Sequence, residues 1–195
     1  PSAEQAKRAG QLAAEQKLNV KILKTDYREI QGQFNAIYSI GMFEHVGEKH
    51  WLTYFRKVAS MLKDKGMFLI HTETQKKPQK MDTFIEEYIF PGSQQPTPRQ
   101  VLAVAEACGL RFHHAESWKT HYRNTLLDWA ANLTRRKNEV PLLYQSEDEA
   151  NWFYRLWEIY LYGCAASYAI EEGMGLEEFL FSKARTDWDV TKLKL

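Results

Sequence analysis

Two short apolar runs separated by one helical segment constrain the fold of this chain more than any other feature. The first run, FNAIYSI, occupies residues 34–40, and the second, MFLIH, occupies residues 67–71. Runs of this length and composition are typical of strands buried in a parallel sheet. Between them, residues 49–65 carry apolar side chains at helical spacing and stop at Gly66. This order predicts a strand, a right-handed crossover helix and a neighbouring parallel strand.

The residues before this unit extend the same pattern. Residues 2–17 are predicted to form a helix, in which Ser2 and Gln5 make an S-x-x-Q capping box. Residues 19–23 alternate between polar and apolar side chains, as a short strand does. The alternation of helices and strands indicates an α/β fold with a doubly wound sheet.

The second half of the chain is predicted to be mainly helical. Residues 74–80 are a polar connector, residues 99–107 a helix, residues 147–171 a long helix and residues 176–183 a closing strand. The long helix is rich in aromatic residues, which favours either a thick core helix or the wall of a cavity for an apolar ligand. Its aromatic residues are Trp152, Phe153, Tyr154, Trp157, Tyr160, Tyr162 and Tyr168.

Composition excludes several classes of function. The 195 residues include 26 basic and 25 acidic residues, so the net charge of +1 argues against bulk nucleic-acid binding. Local basic stretches at 76–77 and 135–137 still allow contact with anionic lipid headgroups. No apolar run is long enough to span a bilayer, and no signal peptide is apparent. The two cysteines fit neither a disulfide framework nor a zinc motif, which indicates a reducing, cytoplasmic setting.

Ionisable residues follow both central strands. Glu44 comes shortly after the first strand and His71 closes the second, so neighbouring strands would bring a carboxylate and an imidazole to one crevice. Such a pair suits acid–base chemistry or the binding of a small polar ligand. The alternatives are that Glu44 caps the next helix and that His71 is a core histidine. Cys164 lies among aromatic and small residues, where cysteine is usually an inert hydrophobe.

The chain contains no G-x-G-x-x-G motif, and it begins at Pro1 without an initiator methionine. Either the sheet does not bind a nucleotide-type cofactor, or the glycine-rich turn precedes Pro1. We expect the second, with the chain being the C-terminal part of a longer protein.

Several motifs carry a specific resemblance. SIGMFEHVG at 39–47, LIHT at 69–72, YIFPG at 88–92, HY with TL at 121–126, and YL with CA at 160–165 occur in this order. Together they resemble the cyclopropane-fatty-acyl-phospholipid synthase family, which includes the mycolic acid cyclopropane synthases. The resemblance covers most of the chain. More distantly, the chain is similar to plant N-methyltransferases.

The resemblance implies a Rossmann-like class I methyltransferase fold, N-terminally incomplete here, and S-adenosyl-L-methionine as the cofactor. Family members transfer a methyl group to a cis double bond of an unsaturated phospholipid acyl chain, and proton loss then closes a cyclopropane ring. The resemblance further implies a bicarbonate base held by Glu44, His71 and Tyr122, with Cys164 as an active-site residue. Glu73 departs from the pattern, because relatives often carry an apolar residue at its position.

Weaker matches place three residues near the cofactor, namely Ser2, Gln5 and Tyr27. The implied organisation is a single domain with a sheet portion at 1–75, a helical lipid-pocket portion at 76–170, and a closing strand and tail at 171–195. The implied location is cytoplasmic, at the inner face of the membrane, with the oligomeric state left open, a homodimer included. The alternatives are a related lipid or amine methyltransferase, or a non-catalytic fragment that binds lipid or a partner.

Overall fold

The computed structural model describes residues 2–183, which divide into two compact units between Gln33 and Phe34. In the first unit, helix α1 spans Ala3–Glu15, and the Ser2 hydroxyl caps it by accepting a hydrogen bond from the Gln5 amide at 3.3 Å. This confirms the predicted helix and the Ser2 cap. A short 3₁₀ helix, Tyr27–Glu29, begins after Asp26, whose carboxylate accepts hydrogen bonds from the backbone and side chain of Arg28.

The strand predicted at residues 19–23 is wrong. The segment has no regular structure, and Val20, Ile22 and Leu23 are all more than a third exposed. A strand needs a hydrogen-bonded neighbour, and within residues 2–33 the structure contains no other strand. Alternating side chains alone therefore do not produce a strand here.

The second unit is built on a four-stranded sheet. Its strands are β1 (Phe34–Ile40), β2 (Leu62–Thr74), β3 (Leu110–Ser117) and β4 (Gly175–Lys183), in the spatial order β1-β2-β4-β3. Strands β1 and β2 are parallel, as predicted, with Ile40 opposite His71. The predicted burial of β1 is wrong, because it pairs with β2 at the edge of the described sheet and its side chains are exposed or only partly buried. Strand β4 runs antiparallel to both β2 and β3. The α/β fold is confirmed, and the described part of the sheet is mixed rather than wholly parallel.

Residues 34–183 also form five α-helices. They are α2 (Trp51–Met61), α3 (Thr83–Tyr88), α4 (Pro98–Ala107), α5 (Lys119–Arg135) and α6 (Glu147–Ala169). Helices α4 and α6 match the predicted ones closely. Helix α2 ends four residues earlier than predicted, because β2 already begins at Leu62, opposite Phe34 of β1. Within residues 2–183, no helix combines the length and apolarity that a membrane span requires.

Strand β3 lies in the portion at 76–170, which the sequence predicts to be helical. Its sequence, LRFHHAES, contains no β-branched residue, and most of its side chains are exposed. It forms a strand because it pairs with β4 along its length. Tertiary pairing thus outweighs local propensity at this position.

Alternation along β2 separates the core from the opposite face of the sheet. Phe68, Ile70 and Thr72 are fully buried, whereas the residues between them are partly exposed. Because successive side chains of a strand point to opposite faces, His71 and Glu73 share the face away from this core.

Aromatic rings fill the core on the buried face. Phe68 of β2 stacks on its register partner Phe181 of β4, with ring centroids 6.2 Å apart. Phe55 of α2 meets both rings edge-on, at 6.1 Å from Phe68 and 6.3 Å from Phe181. All three side chains are fully buried. This cluster fixes α2 against the centre of the sheet.

Replacing Phe181 with alanine should lower the free energy of unfolding by about 3–5 kcal/mol, because it removes a buried ring and leaves a cavity. Leu142, which is 82% exposed, provides the control, and its replacement with alanine should change stability by less than about 0.5 kcal/mol. Urea denaturation followed by circular dichroism measures both. Equal effects of the two substitutions would contradict the assignment of Phe181 to the core.

Candidate active site

The segment that follows β1 positions Glu44. Gly41 and Gly47 bracket it, and both have positive φ angles, 56° and 76°, that favour glycine. The Gly41 amide donates to the carbonyl oxygen of His71 at 3.0 Å. Between the glycines, Phe43 is fully buried and contacts Tyr54 and Phe55 of α2, with centroids 5.1 and 5.4 Å apart. Phe43 thus anchors the 3₁₀ turn that carries Glu44.

Glu44 is bound to β2 rather than to a helix terminus. Its side chain is 6% exposed, and its Oε1 accepts a hydrogen bond of 2.9 Å from the backbone amide of Glu73. Its Oε2 is buried and has no hydrogen-bond partner. The alternative that Glu44 caps the next helix is therefore wrong.

His71 lies within β2 and not at its end, because the strand continues for three residues to Thr74. Its Nδ1 is buried and has no hydrogen-bond partner, so it is not a satisfied core histidine. His71 shares a strand face with Glu73, whose backbone binds Glu44. The neighbouring strands thus bring the predicted Glu44 and His71 to one edge of the sheet.

A loop after α3 holds the two glutamates in place. The Gln94 amide donates to the Glu44 carbonyl oxygen at 2.7 Å. The Gln95 side-chain amide donates to Glu73 Oε2 at 2.6 Å. Gln95 is itself 7% exposed, and its carbonyl oxygen accepts from the Gln75 side chain at 2.8 Å. This loop, residues 92–97, is tied to the segment of Glu44 and to β2.

The helices α5 and α6 complete the site. Tyr122 of α5 packs against Tyr168 of α6, with ring centroids 5.3 Å apart. A small cavity of about 10 Å³ joins these rings to Cys164 and Glu73. The Tyr168 hydroxyl is buried without a hydrogen-bond partner, although it is near enough to Glu73 to influence the pKa of that carboxyl. The remaining walls of this cavity are Ile85, Phe90, Tyr160 and Met174. We call it the catalytic cavity after the role that we propose for it.

Glu73 is the titratable centre of this cluster. Burial and, next, the negative charge of Glu44 raise the pKa of Glu73 to about 7, against the hydrogen bond from Gln95. Within residues 2–183, the ion pairs of the structure involve neither Glu44 nor Glu73. The negative charge of Glu44 therefore acts on the Glu73 carboxyl group without a cation to offset it.

Cys164 and Tyr122 stay protonated in this environment. Burial, followed by the charges of Glu73 and Asp82, raises the pKa of the Cys164 thiol to about 12. Burial, followed by the charge of Glu73, also raises the pKa of Tyr122. A thiol with such a pKa is a poor nucleophile at neutral pH. Cys164 therefore shapes the cavity wall, and no covalent role follows from its surroundings.

A larger cavity of about 390 Å³ adjoins the catalytic cavity. The two share Ile85, Tyr160, Cys164 and Met174. The larger one adds apolar walls from Met81, Phe84 and Ile159. Its volume is in the range of small-molecule sites. An apolar ligand in it would therefore reach Cys164 and the catalytic cavity beyond.

The aromatic helix serves both of the roles predicted for it. Tyr160 and Tyr168 line the catalytic cavity. Phe153 and Tyr154 pack instead in a separate cluster with Val140, while Trp152 is 57% exposed. The cavity wall is thus confined to the C-terminal half of α6.

The sequence pointed to Glu44, His71, Tyr122 and Cys164 as site residues. It assigned no role to Glu73, Gln95 or Tyr168, which the structure places beside them. The spacing of Glu73 two residues after His71 on a strand is the signal that places it on the same face. Gln95 and Tyr168 have no such local signal. Among the described residues, no group of three or more His, Cys, Asp or Glu side chains is placed to hold a metal ion.

Solved structures place the chain among the methyltransferases. The cyclopropane synthase MmaA2 from Mycobacterium tuberculosis superimposes with a TM-score of 0.82 at 26% identity, covering 93% of this chain and 67% of that one. The mycolic acid cyclopropane synthase CmaA1, complexed with SAH and CTAB, gives a TM-score of 0.79 at 28% identity, with the same coverage. The fold is that of an S-adenosylmethionine-dependent methyltransferase.

Sequence comparison identifies the family. The sequence profile of the family "Mycolic acid cyclopropane synthetase" matches residues 2–174, and the chain belongs to this family. The cyclopropane-fatty-acyl-phospholipid synthase of Escherichia coli K12 is 35% identical over 186 residues, which are 93% of this chain and 46% of that protein. The chain thus spans about half the length of the curated relatives that it matches.

Glu73→Gln should stabilise the protein at alkaline pH. Between the ordinary pKa of 4.5 and the folded pKa of about 7, the folded state retains a proton that the unfolded chain loses, so this group lowers stability as pH rises. Glutamine mimics the protonated acid and removes that cost. We expect a gain of about 1–3 kcal/mol at pH 8 and none at pH 4.

Chemical denaturation of wild type and variant at several pH values measures this difference. The exposed Glu86 of α3 provides the control, and Glu86→Gln should show no comparable pH-dependent gain. A pH-independent effect of Glu73→Gln would refute the raised pKa of Glu73.

Cys164 should resist alkylation. With a pKa of about 12, almost none of its thiol is ionised at pH 8, so iodoacetamide should modify it at least about 100-fold more slowly than free cysteine. Mass spectrometry of digested protein separates Cys164 from Cys108. Rapid modification of Cys164 in the folded protein would instead indicate a thiolate.

Proposed function

We propose that the protein containing this chain transfers a methyl group from S-adenosyl-L-methionine to the cis double bond of unsaturated phospholipid acyl chains and forms cyclopropane fatty acids. The observation that carries the proposal is the larger cavity, whose apolar walls adjoin a smaller cavity lined by Glu73, Tyr122, Cys164 and Tyr168. Membership of the cyclopropane synthetase family supports it. The SAH complex of the relative CmaA1 supports the cofactor.

The residues of the chain suit the demands of this chemistry. Methyl addition to a double bond leaves a carbocation on the acyl chain, which water would quench. Tyr160 and Phe90, whose rings meet edge-on at 6.0 Å, line the catalytic cavity and limit the entry of water. Aromatic faces also tolerate a cation. A carboxylate in the same cavity can accept the proton that is then lost.

Ser2, Gln5 and Tyr27 belong to this proposal as cofactor-binding residues. S-adenosyl-L-methionine supplies an electrophilic methyl group when bound. The Ser2 hydroxyl caps α1, and Tyr27 lies in the 3₁₀ turn after Asp26. Their assignment depends on the family resemblance.

Bicarbonate fits the residues of the site poorly. The buried Glu44 Oε2 and His71 Nδ1 lack partners and would suit a small polar ligand. Within residues 2–183, however, no ion pair places a cation beside Glu44 or Glu73. A bound bicarbonate would also add a negative charge beside Glu44 and Glu73. No step of the proposed reaction therefore uses bicarbonate.

We infer that the enzyme meets its substrate at the inner face of the membrane. Leu142 and Leu143, at the end of the 3₁₀ helix Lys137–Leu143, are 82% and 74% exposed and offer an apolar contact. The charge of the adjoining Arg136 is offset by Glu139 at 2.7 Å, whereas Lys137 lies over the Tyr154 ring and keeps its positive charge.

The test is lipid analysis of a host that makes unsaturated but no cyclopropane acyl chains. Expression of the full-length protein should give acyl chains with one additional CH₂ and no double bond, detected by mass spectrometry. Glu44→Gln should reduce this product at least about 100-fold, because it neutralises the buried carboxylate of the site. Glu86→Gln, at an exposed position of α3, is the control and should retain product.

Other outcomes would identify the competing functions. A methyl-branched lipid would indicate a related lipid methyltransferase, and a methylated amine would indicate the amine branch. Absence of any methylated product from a folded full-length protein would refute the proposed activity. Circular dichroism verifies the fold of each variant.

A further inference from the structure

Glu73 stands where the family resemblance leads us to expect an apolar residue, and its side chain reaches the catalytic cavity. We propose that the Glu73 carboxylate is the general base that removes the proton from the methylated acyl chain, in place of a bound bicarbonate. This inference rests on the proposed function and adds a catalytic residue to it.

The surroundings of Glu73 hold its carboxylate in one position. Gln95 donates to Oε2 at 2.6 Å, and the backbone amide of Glu73 is bound to Glu44. Gln95 is in turn buried in the loop of residues 92–97. The base is thereby attached to a strand and aligned from one side by a neutral donor, which does not neutralise it as a cation would.

Charge in the cavity favours a side-chain base over a bound anion. Glu73 lines the cavity together with Tyr122, Cys164 and Tyr168, and the negative charge of Glu44 acts on its carboxyl group. A bound bicarbonate would add a further negative charge beside these two carboxyl groups, and within residues 2–183 no ion pair provides a cation for them. The Glu73 carboxylate already provides, in this cavity, the two oxygen atoms that a bound bicarbonate would offer as a base.

The neighbouring groups tune Glu73 for proton transfer near neutral pH. Burial and the charge of Glu44 raise its pKa to about 7, which is close to the value that suits a general base in the cell. The other titratable groups that influence this cluster hold their protons more tightly. They are Tyr122 of α5 and Tyr160, Cys164 and Tyr168 of α6, and burial raises the pKa of each.

The proposed step balances in atoms and charge. The π electrons of the double bond form a bond to the methyl carbon, the carbon–sulfur bond breaks, and its electron pair returns to sulfur. The Glu73 carboxylate then takes a proton from the added methyl group, and the electron pair of that C–H bond closes the ring. Glu73 is left as a neutral acid and releases its proton to solvent before the next turnover.

The decisive experiment compares turnover of the full-length protein in buffer freed of carbon dioxide and in the same buffer with added bicarbonate. Wild type should change by less than about twofold, because its base is built in. Glu73→Gln should lose at least about 100-fold in either buffer, because glutamine keeps the shape but accepts no proton. Glu73→Ala should be equally impaired without additives and should recover at least about tenfold with bicarbonate or formate, which can occupy the vacated space.

Glu177→Gln is the matched control. Glu177 of β4 is another partly buried glutamate, but its position is opposite Thr72 in the register, and it accepts a hydrogen bond from Thr74 on the other face of the sheet. Its replacement should leave turnover within about twofold of wild type in both buffers.

A readout independent of turnover completes the test. Infrared titration of the protein should contain a carboxylic acid band that disappears with a midpoint near pH 7 and is missing in Glu73→Gln. If wild type forms cyclopropane only with added bicarbonate, the assignment of Glu73 is overturned while the proposed function stands. If wild type forms none in either buffer, the proposed function fails and the assignment of Glu73 fails with it.

Discussion

The hydrogen bond from the Glu73 amide to the buried Glu44 carboxylate connects the features on which the site depends. It joins the turn after β1 to β2, and it brings a second carboxyl group, that of Glu73, to the same edge of the sheet. Phe43, next to Glu44, packs into the aromatic core, so the hydrogen bond is supported by the same packing that holds α2 on the sheet. This hydrogen bond and the packing of Phe43 therefore determine both the position and the burial of the Glu44 carboxylate.

Bringing two carboxyl groups together away from water opposes folding unless other interactions compensate. Here the compensation comes from neutral donors, namely the Glu73 amide and the Gln95 side chain. Neutral donors hold the oxygens in place and still leave one of the two groups able to bind a proton. A lysine or arginine in their place would have stabilised both charges and removed the capacity for proton transfer near neutral pH. The site thus exchanges some stability for chemical function.

Particular elements explain where sequence reasoning succeeds. The two apolar runs predicted β1 and β2 and their parallel pairing, because apolar and β-branched residues leave a local signature of a strand. They did not predict that β1 is largely exposed, because the burial of a strand depends on what packs against it. Helices α4 and α6 were equally predictable from capping residues and periodicity. The strand predicted at 19–23 failed, and β3 was missed, for one reason: whether a segment forms a strand depends on its neighbour in space, and a sequence window does not contain that neighbour.

By itself, the sequence determined that Glu44 follows the first apolar strand and that His71 belongs to the second. It also assigned Tyr122 and Cys164 to the site through the family motifs. Only the tertiary structure decided that Glu73 meets Tyr122, Cys164 and Tyr168 across one small cavity. The antiparallel pairing of β2 with β4 and the packing of α5 on α6 create that meeting, and these contacts join residues far apart in the chain. The pKa of a carboxyl group depends on such surroundings, and so its chemistry emerges only when the chain is folded.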